Sequence, residues 1–182
     1  MTGRTNMTAS HITIDRASKT DLQGIVELQH ANQLAQGGTL AAELAPHQIE
    51  EMMQDMPQII ARRNAEIVAF LMTTSQAVNK KRPIPVVEKT LQAYPYAESD
   101  AYIYGPICVS DEERGNGLAQ LMFEKLLEEE PGRQGVLFIR GDNEPSLRAH
   151  KKMGMNKVGE FDLNGAVFHV FAYTAKARLR RS

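Results

Sequence analysis

Between Tyr102 and Met155 the chain collects side chains able to hold an anion or move a proton: Tyr102, Tyr104, Cys108, Arg114, Asn143, Ser146 and His150. The centre of this stretch, Ser110 to Gly117, has no large apolar residue but has Arg114 and two glycines two residues apart. Glycines let a backbone turn sharply and come close to a ligand, and the first N–H groups of a following helix have no partner within that helix. Such a junction suits phosphate. The flanks supply the elements it needs. Tyr102, Ile103, Tyr104, Ile107, Cys108 and Val109 read as a strand, and Leu118, Leu121, Met122 and Leu126 recur at helical spacing.

Three phosphate-binding turns have this outline. A P-loop requires Lys-Ser or Lys-Thr after its last glycine, and Gly117 is followed by Leu118 and Ala119. A dinucleotide fingerprint requires glycine or alanine three residues after Gly117, where the chain has Gln120. The run Arg114, Gly115, Asn116, Gly117, Leu118, Ala119 instead satisfies R-x-x-G-x-[GA]. Downstream, a short buried-strand pattern at 135–140 precedes Asn143, Ser146, His150, Lys152, Gly154 and Met155, which satisfy N-x-x-[AS]-x-x-x-[YH]-x-K-x-G-[FM]. In these two motifs, spanning roughly residues 101–155, the chain resembles the GNAT acyl-CoA N-acyltransferases.

The resemblance implies an α/β (α+β) fold. Its central sheet is mixed but mostly antiparallel, with about seven strands, and is flanked by four or five helices; the strands either side of the cradle helix splay apart to admit a thioester. It implies acetyl-CoA as co-substrate, with contacts from Ile107, Cys108 and Val109, from the cradle Arg114, Gly115, Asn116, Gly117, Leu118 and Ala119, and from Asn143, Ser146 and His150. The activity implied is transfer of an acetyl group to a primary amine of a small or amino-acid-like acceptor by direct attack. Two other readings stand beside it: a protein N-terminal or lysine acetyltransferase, and an inactive module that senses acyl-CoA.

Amine attack on a thioester needs a donor to the developing oxyanion, an acid for the leaving sulfur and a base for the ammonium. By resemblance the donor is a backbone N–H near Cys108 or Val109, freed by a bulge at Gly105-Pro106, since proline cannot donate to a ladder. The acid position, commonly tyrosine in the family, is His150, as proton donor or as packing for the pantetheine arm. For the base, Glu98, Asp100, Tyr102, Tyr104 and His169 are candidates. Tyr102 and Tyr104 share a strand face, and Tyr104 joins His150 as the catalytic pair. Cys108 reads as a small buried hydrophobe rather than a nucleophile.

The rest of the chain must position these groups. A first strand is expected over 11–17 and a helix capped by Thr20 that ends at Gln36-Gly37-Gly38. A second helix opens at Pro46, where a missing N–H costs little, and Pro57 closes it. Met52, Met53 and Met56 on that helix read as core, with a substrate channel as the other role. Residues 58–63 and 66–74 form a hairpin about Asn64-Ala65, and 157–163 and 166–173 form another about Asn164-Gly165. From 75 to 99 the pattern departs: a long insertion carries Lys80, Lys81, Arg82, three prolines and a helical segment over 86–94. Insertions of this length are often functional, and acceptor specificity is expected there.

With 182 residues the chain suits a single domain, 11–175, between a flexible N-terminus, 1–10, and a basic tail, 176–182. Net charge is −1, from 21 basic and 22 acidic residues, so no global field favours nucleic acid or an anionic membrane. One cysteine excludes an internal disulfide framework. The N-terminus lacks the apolar core of a signal peptide, no run reaches the ~20 apolar residues of a membrane span, and a cytoplasmic location is expected. No His, Cys or carboxylate cluster has metal-ligand spacing, so no metal is expected. The partners expected are acetyl-CoA and an amine, and a homodimer is compatible with the chain.

Overall fold

A computed structural model of the protein describes residues 11–33, 40 and 43–174. Seven strands form one sheet: β1 (Ile12–Arg16), β2 (Ile59–Arg63), β3 (Glu66–Ser75), β4 (Tyr102–Val109), β5 (Gln134–Arg140), β6 (Asn156–Leu163) and β7 (Ala166–Thr174). They lie in the order β1-β2-β3-β4-β5-β7-β6, and every neighbouring pair is antiparallel except β4 and β5. Among the described residues the helices are α1 (Leu22–Ala31), α2 (Pro46–Asp55), α3 (Gln76–Lys81), α4 (Pro85–Ala93), α5 (Leu118–Glu129) and α6 (Glu144–Lys152). Expectations for 1–10, for a helix end at Gln36-Gly37-Gly38 and for the tail 176–182 lie outside the described residues.

Local chemistry sets most boundaries. Pro46 takes the first turn of α2, where its missing N–H would have no intrahelical acceptor. Asn64 (φ 57°) turns the β2–β3 hairpin, and Asn164 (φ 51°) with Gly165 (φ 78°) turns the β6–β7 hairpin, as a type I′ turn demands. The first helical segment starts two residues earlier than expected. Ser18, not Thr20, opens it: the Ser18 N–H donates to Asp21 at 2.8 Å, and a 3₁₀ turn over Lys19–Asp21 precedes α1. Thr20 meets only the Ser18 hydroxyl, at 2.9 Å.

The insertion is not a long loop. Ser75 caps α3, its hydroxyl accepting the Val78 N–H at 3.1 Å, and Pro85 starts α4. Asn79 donates to Glu88 at 3.1 Å, tying the two helices together. Gln76 donates to the Ala101 carbonyl at 2.7 Å, and the Glu98 N–H donates to Gln134 at 2.7 Å, tying the segment to the sheet. Against β6, Gly159 lets α4 close in: a Cβ there would lie 2.8 Å from the Ala93 carbonyl oxygen, a distance that excludes any side chain.

The sheet has a helix layer on each face. On one, Leu118, Met122, Phe123 and Leu126 of α5 pack over Ile59, Ala61, Ala69 and Leu71 and against Leu137 and Tyr173. On the other, Ile25 of α1 and Ile49 and Met52 of α2 cover Ile60, Phe70 and Met72. On that same face, β5 and β7 present Val136, Val170 and Ala172 to Ala93 and Tyr94 at the end of α4. The three methionines expected on the second helix divide between these layers: Met52 and Met53 of α2 pack on the α1 side, while Met56, just past the end of α2, joins the α5 side.

Candidate active site

The site begins with a fault in the sheet. In the β3–β4 ladder Leu71 opposes Ile107 and Thr73 opposes Tyr104, so Met72 alone faces both Gly105 and Pro106. This bulge resets the alternation of side chains. Tyr102 and Tyr104 face the α5 layer before it, and Ile107 and Val109 return to that layer after it. Across the other edge, β4 and β5 pair only at Tyr102–Gly135 and Ile103–Val136. Beyond those residues the two strands part.

The open edge of β4 carries backbone donors. The Ser110 N–H donates to the Val68 carbonyl at 2.9 Å, making these a bonded pair. By antiparallel alternation Cys108 turns its backbone groups to Phe70, while Ile107 and Val109 turn theirs away from β3 and toward the opening. Of the three expected cofactor contacts on this strand, Ile107 and Val109 therefore offer an N–H and Cys108 does not. Cys108 is buried, 6% exposed, in the α1–α2 core, and burial pushes its thiol pKa up to about 12. Its buried, protonated thiol is poorly placed to act as a nucleophile.

The cradle after β4 is anchored from below. Glu113 is buried and takes both its oxygens to Arg63, one contact measuring 2.7 Å; that guanidinium holds its carboxyl below the usual range. Asn116 donates to the same carboxylate at 3.1 Å, so its side chain braces the loop. Leu118 is buried in the core. Arg114 is half-exposed and pairs with Asp111 at 2.9 Å. Above the loop there is space. Gly115 (φ 82°) and Gly117 (φ 74°) adopt left-handed conformations, and a Cβ on either would meet nothing within 4 Å. The Leu121 N–H bonds to the Gly117 carbonyl at 3.1 Å, so the N–H groups of Leu118, Ala119 and Gln120 have no acceptor within α5. The buried Ser110 hydroxyl, at the end of β4, also has no partner in the structure. This arrangement fits a pyrophosphate above the loop.

At the vertex of the opening stand Tyr104 and His150, 2% and 3% exposed. The Tyr104 hydroxyl lies 3.0 Å from His150 Nε2, while His150 Nδ1 lies 2.8 Å from the Ser146 carbonyl oxygen and 3.2 Å from the Ser146 hydroxyl. A carbonyl only accepts, so Nδ1 carries the proton and Nε2 of the neutral ring accepts from Tyr104. Burial lowers the His150 pKa from its ordinary 6.5, against the opposing pull of the Ser146 carbonyl. Burial also raises the Tyr104 pKa well above that of an ordinary phenol. With Nδ1 donating to the Ser146 carbonyl and burial opposing a charge on the ring, Nε2 of His150 is placed as an acceptor toward Tyr104.

Asn143 and Ser146 also line the cavity at the vertex. Asn143 caps α6, its side-chain oxygen accepting the Ser146 N–H at 3.3 Å. The other base candidates are elsewhere. The Tyr102 hydroxyl meets that of Tyr173 inside the core, and His169 faces Glu160 at 3.7 Å across the β6–β7 pair. Glu98 and Asp100 belong to the turn before β4, where their backbones bind Gln134 and Arg133. The Arg63–Glu113 anchor had no sequence signal, because its partners are fifty residues apart.

Among the described residues no group of three or more His, Cys, Asp or Glu is placed to hold a metal ion, and no helix is long and apolar enough to cross a membrane. No curated protein matches the chain in sequence. Solved structures do share its fold. An N-acetyltransferase from Staphylococcus aureus Mu50 is 19% identical with a TM-score of 0.67, over 92% of this chain and 100% of that one. YncA, a putative acetyltransferase from Salmonella typhimurium solved with its cofactor acetyl-CoA, is 15% identical with a TM-score of 0.66, over 92% and 95%. NAA60 of Arabidopsis thaliana, in complex with acetyl-CoA, is 14% identical with a TM-score of 0.63, over 90% and 99%. The model of the acetyltransferase (GNAT) family matches residues 25–155, and the chain belongs to that family.

Proposed function

We propose that the protein transfers an acetyl group from acetyl-CoA to the primary amine of a small-molecule acceptor, by direct attack within the β4–β5 opening. The observation that carries this reading is the parting of β4 from β5 after two paired residues, with an open glycine cradle at one end and a buried Tyr–His pair at the vertex. Two of the similar structures hold acetyl-CoA, which supports the same co-substrate here. In this reading the N–H groups of α5 and Arg114 hold the pyrophosphate, the Asn143 amide reaches the pantetheine arm, and the backbone N–H of Ile107 or Val109 faces the thioester oxygen as it gains charge.

Tyr104 and His150 then move the proton. As the amine attacks, the Tyr104 oxygen takes a proton from nitrogen while its own proton passes to His150 Nε2, so the phenol stays neutral and the charge rests on an imidazolium. The Ser146 carbonyl, already bound to Nδ1–H at 2.8 Å, favours that charged ring. The same path in reverse returns a proton to the departing sulfur. A buried phenol unable to ionise by itself is suited to such a relay, because it never has to hold a charge. A sensor that only binds acyl-CoA has no use for the pair, and this favours turnover. The test is a screen of primary amines for thiol release from acetyl-CoA, with the product identified by mass spectrometry. Amine-dependent release with one acetylated amine per thiol is the expected result; binding of acetyl-CoA without amine-dependent release overturns the proposal.

A further inference from the structure

Resting on the acetyl-transfer reading, we infer that the acceptor is a primary amine carried on an apolar alkyl or aralkyl body, not a polyamine and not a small polar amino acid. The cavity that meets the vertex has a volume of about 1000 Å³ and extends among α2, the α3–α4 insertion and the β6–β7 turn. The pantetheine arm takes the end of that space beside Asn143, Ser146 and His150 in this reading, and the remainder, along α2 and the insertion, is left for the body of the acceptor. Away from the vertex the walls of the cavity carry a continuous set of apolar side chains, Met52 from α2, Val78 from α3, Ile84 and Val87 at the start of α4, and Phe138 and Phe168 from the sheet, with the paired charges Glu51–Arg82 and Arg140–Asp142 among them. Ile84 is 40% exposed. One exposed isoleucine is ordinary, but this one lies on a concave wall with five other apolar side chains, where a ligand would cover it.

The polar groups of the wall offer a small hydrophilic acceptor little. The Gln48 side-chain oxygen already accepts the Ala45 N–H at 2.8 Å, and the Asn79 amide already donates to Glu88 at 3.1 Å. The carboxylates of the wall are already engaged. Glu51 lies 3.6 Å from Arg82 and Asp142 lies 3.0 Å from Arg140, so among the described residues each wall carboxylate has a cation beside it and a second ammonium would have to compete for it. The acceptor's single amine thus belongs at Tyr104 and its carbon body along the insertion.

The experiment measures kcat/KM for butylamine, hexylamine, octylamine, phenethylamine, spermidine, glycine and a short peptide with an apolar first residue, at saturating acetyl-CoA. Across the alkyl series the expected rise is about fourfold per methylene buried, with spermidine and glycine below butylamine. Ile84→Ser, which puts a favourable capping residue at the N-cap of α4 and so keeps the helix, is expected to reduce the octyl-to-butyl preference at least severalfold. A flat chain-length series, a preference for spermidine or glycine, a peptide that outperforms octylamine, or an unchanged preference in Ile84→Ser overturns this inference while leaving acetyl transfer standing. Absence of thiol release with every amine overturns acetyl transfer and this inference with it.

Discussion

Replacing Tyr104 by phenylalanine deletes one oxygen and keeps a ring in place. That ring sits edge-on to Phe123 at 6.0 Å, Tyr173 at 6.0 Å and His150 at 5.4 Å, contacts that phenylalanine retains. What is lost is the donor to His150 Nε2, 3.0 Å away. An acceptor left unpaired in a buried site costs about 1–3 kcal/mol, which thermal denaturation reads as a fall of roughly 2–4 °C per kcal/mol for a domain of this size. The effect on turnover is larger. With the relay cut, kcat is expected to fall roughly a hundredfold to ten-thousandfold, while KM for acetyl-CoA changes little, since the proton moves only in the transition state. Stopped-time thiol-release kinetics on wild type and Tyr104→Phe decide it. A kcat within about threefold of wild type would refute the relay and leave Tyr104 as packing. His150→Tyr separates the relay from an acid role. A phenol, with a pKa near ~10, can donate to sulfur but cannot store a proton at neutral pH, so the relay requires His150→Tyr to be as impaired as His150→Phe.

Because the relay needs neutral His150 and burial holds its pKa below 6.5, kcat/KM expressed per concentration of unprotonated amine is expected to be level at neutral pH and to fall on an acidic limb below 6.5. The same shift links to stability: between the folded pKa and 6.5 the unfolded chain binds a proton that the folded chain refuses, so stability rises with pH across that window, and His150→Gln flattens the rise in denaturant titrations. Gly117→Val forces a β-branched residue into φ 74° at a cost of about 1–3 kcal/mol and points its side chain into the open cradle. Calorimetry is expected to show loss of acetyl-CoA binding by a chain that still unfolds cooperatively, and unchanged affinity would count against the cradle. Asn143→Ala removes the cap of α6 and is expected to cost about 0.5–2 kcal/mol, whereas Asn143→Asp restores the cap but not the amide donors. A raised acetyl-CoA KM in a fully stable Asn143→Asp marks donation to the ligand; a wild-type KM marks Asn143 as a cap alone.

Alternation and turn chemistry made the sheet legible from residue types. Asn164-Gly165 dictated the last hairpin, and Gly105-Pro106 marked the bulge, because these residues act on their own backbone. The left-handed turns at Gly115 and Gly117 were legible for the same reason. What sequence order hid were contacts made by distant segments. Nothing in residues 75–99 announced that Gly159, on β6, leaves room for α4, although Ser75 followed by a run ending in Lys80 and Lys81 was a readable cap and helix end. The spacing of Asn143, Ser146 and His150 located the vertex, yet the role of His150 depends on which ring nitrogen meets the Ser146 carbonyl. That depends on a rotamer and on the depth of burial, neither of which is written in residue order. That Cys108 turns its backbone groups to Phe70, and not to the opening, follows from the pairing with β3.

The seating of the thioester between β4 and β5 is tested most directly by residue-resolved amide hydrogen exchange, with and without acetyl-CoA. In the free protein the amides of Ile107 and Val109 face the opening and those of Leu118, Ala119 and Gln120 have no intrahelical acceptor, so all five are expected to exchange fast, whereas Cys108, paired to Phe70, exchanges slowly. On adding acetyl-CoA the five fast amides are expected to become protected while Cys108 hardly changes. Protection confined to other segments, or five amides still exchanging at their free rates with acetyl-CoA demonstrably bound, would contradict this seating.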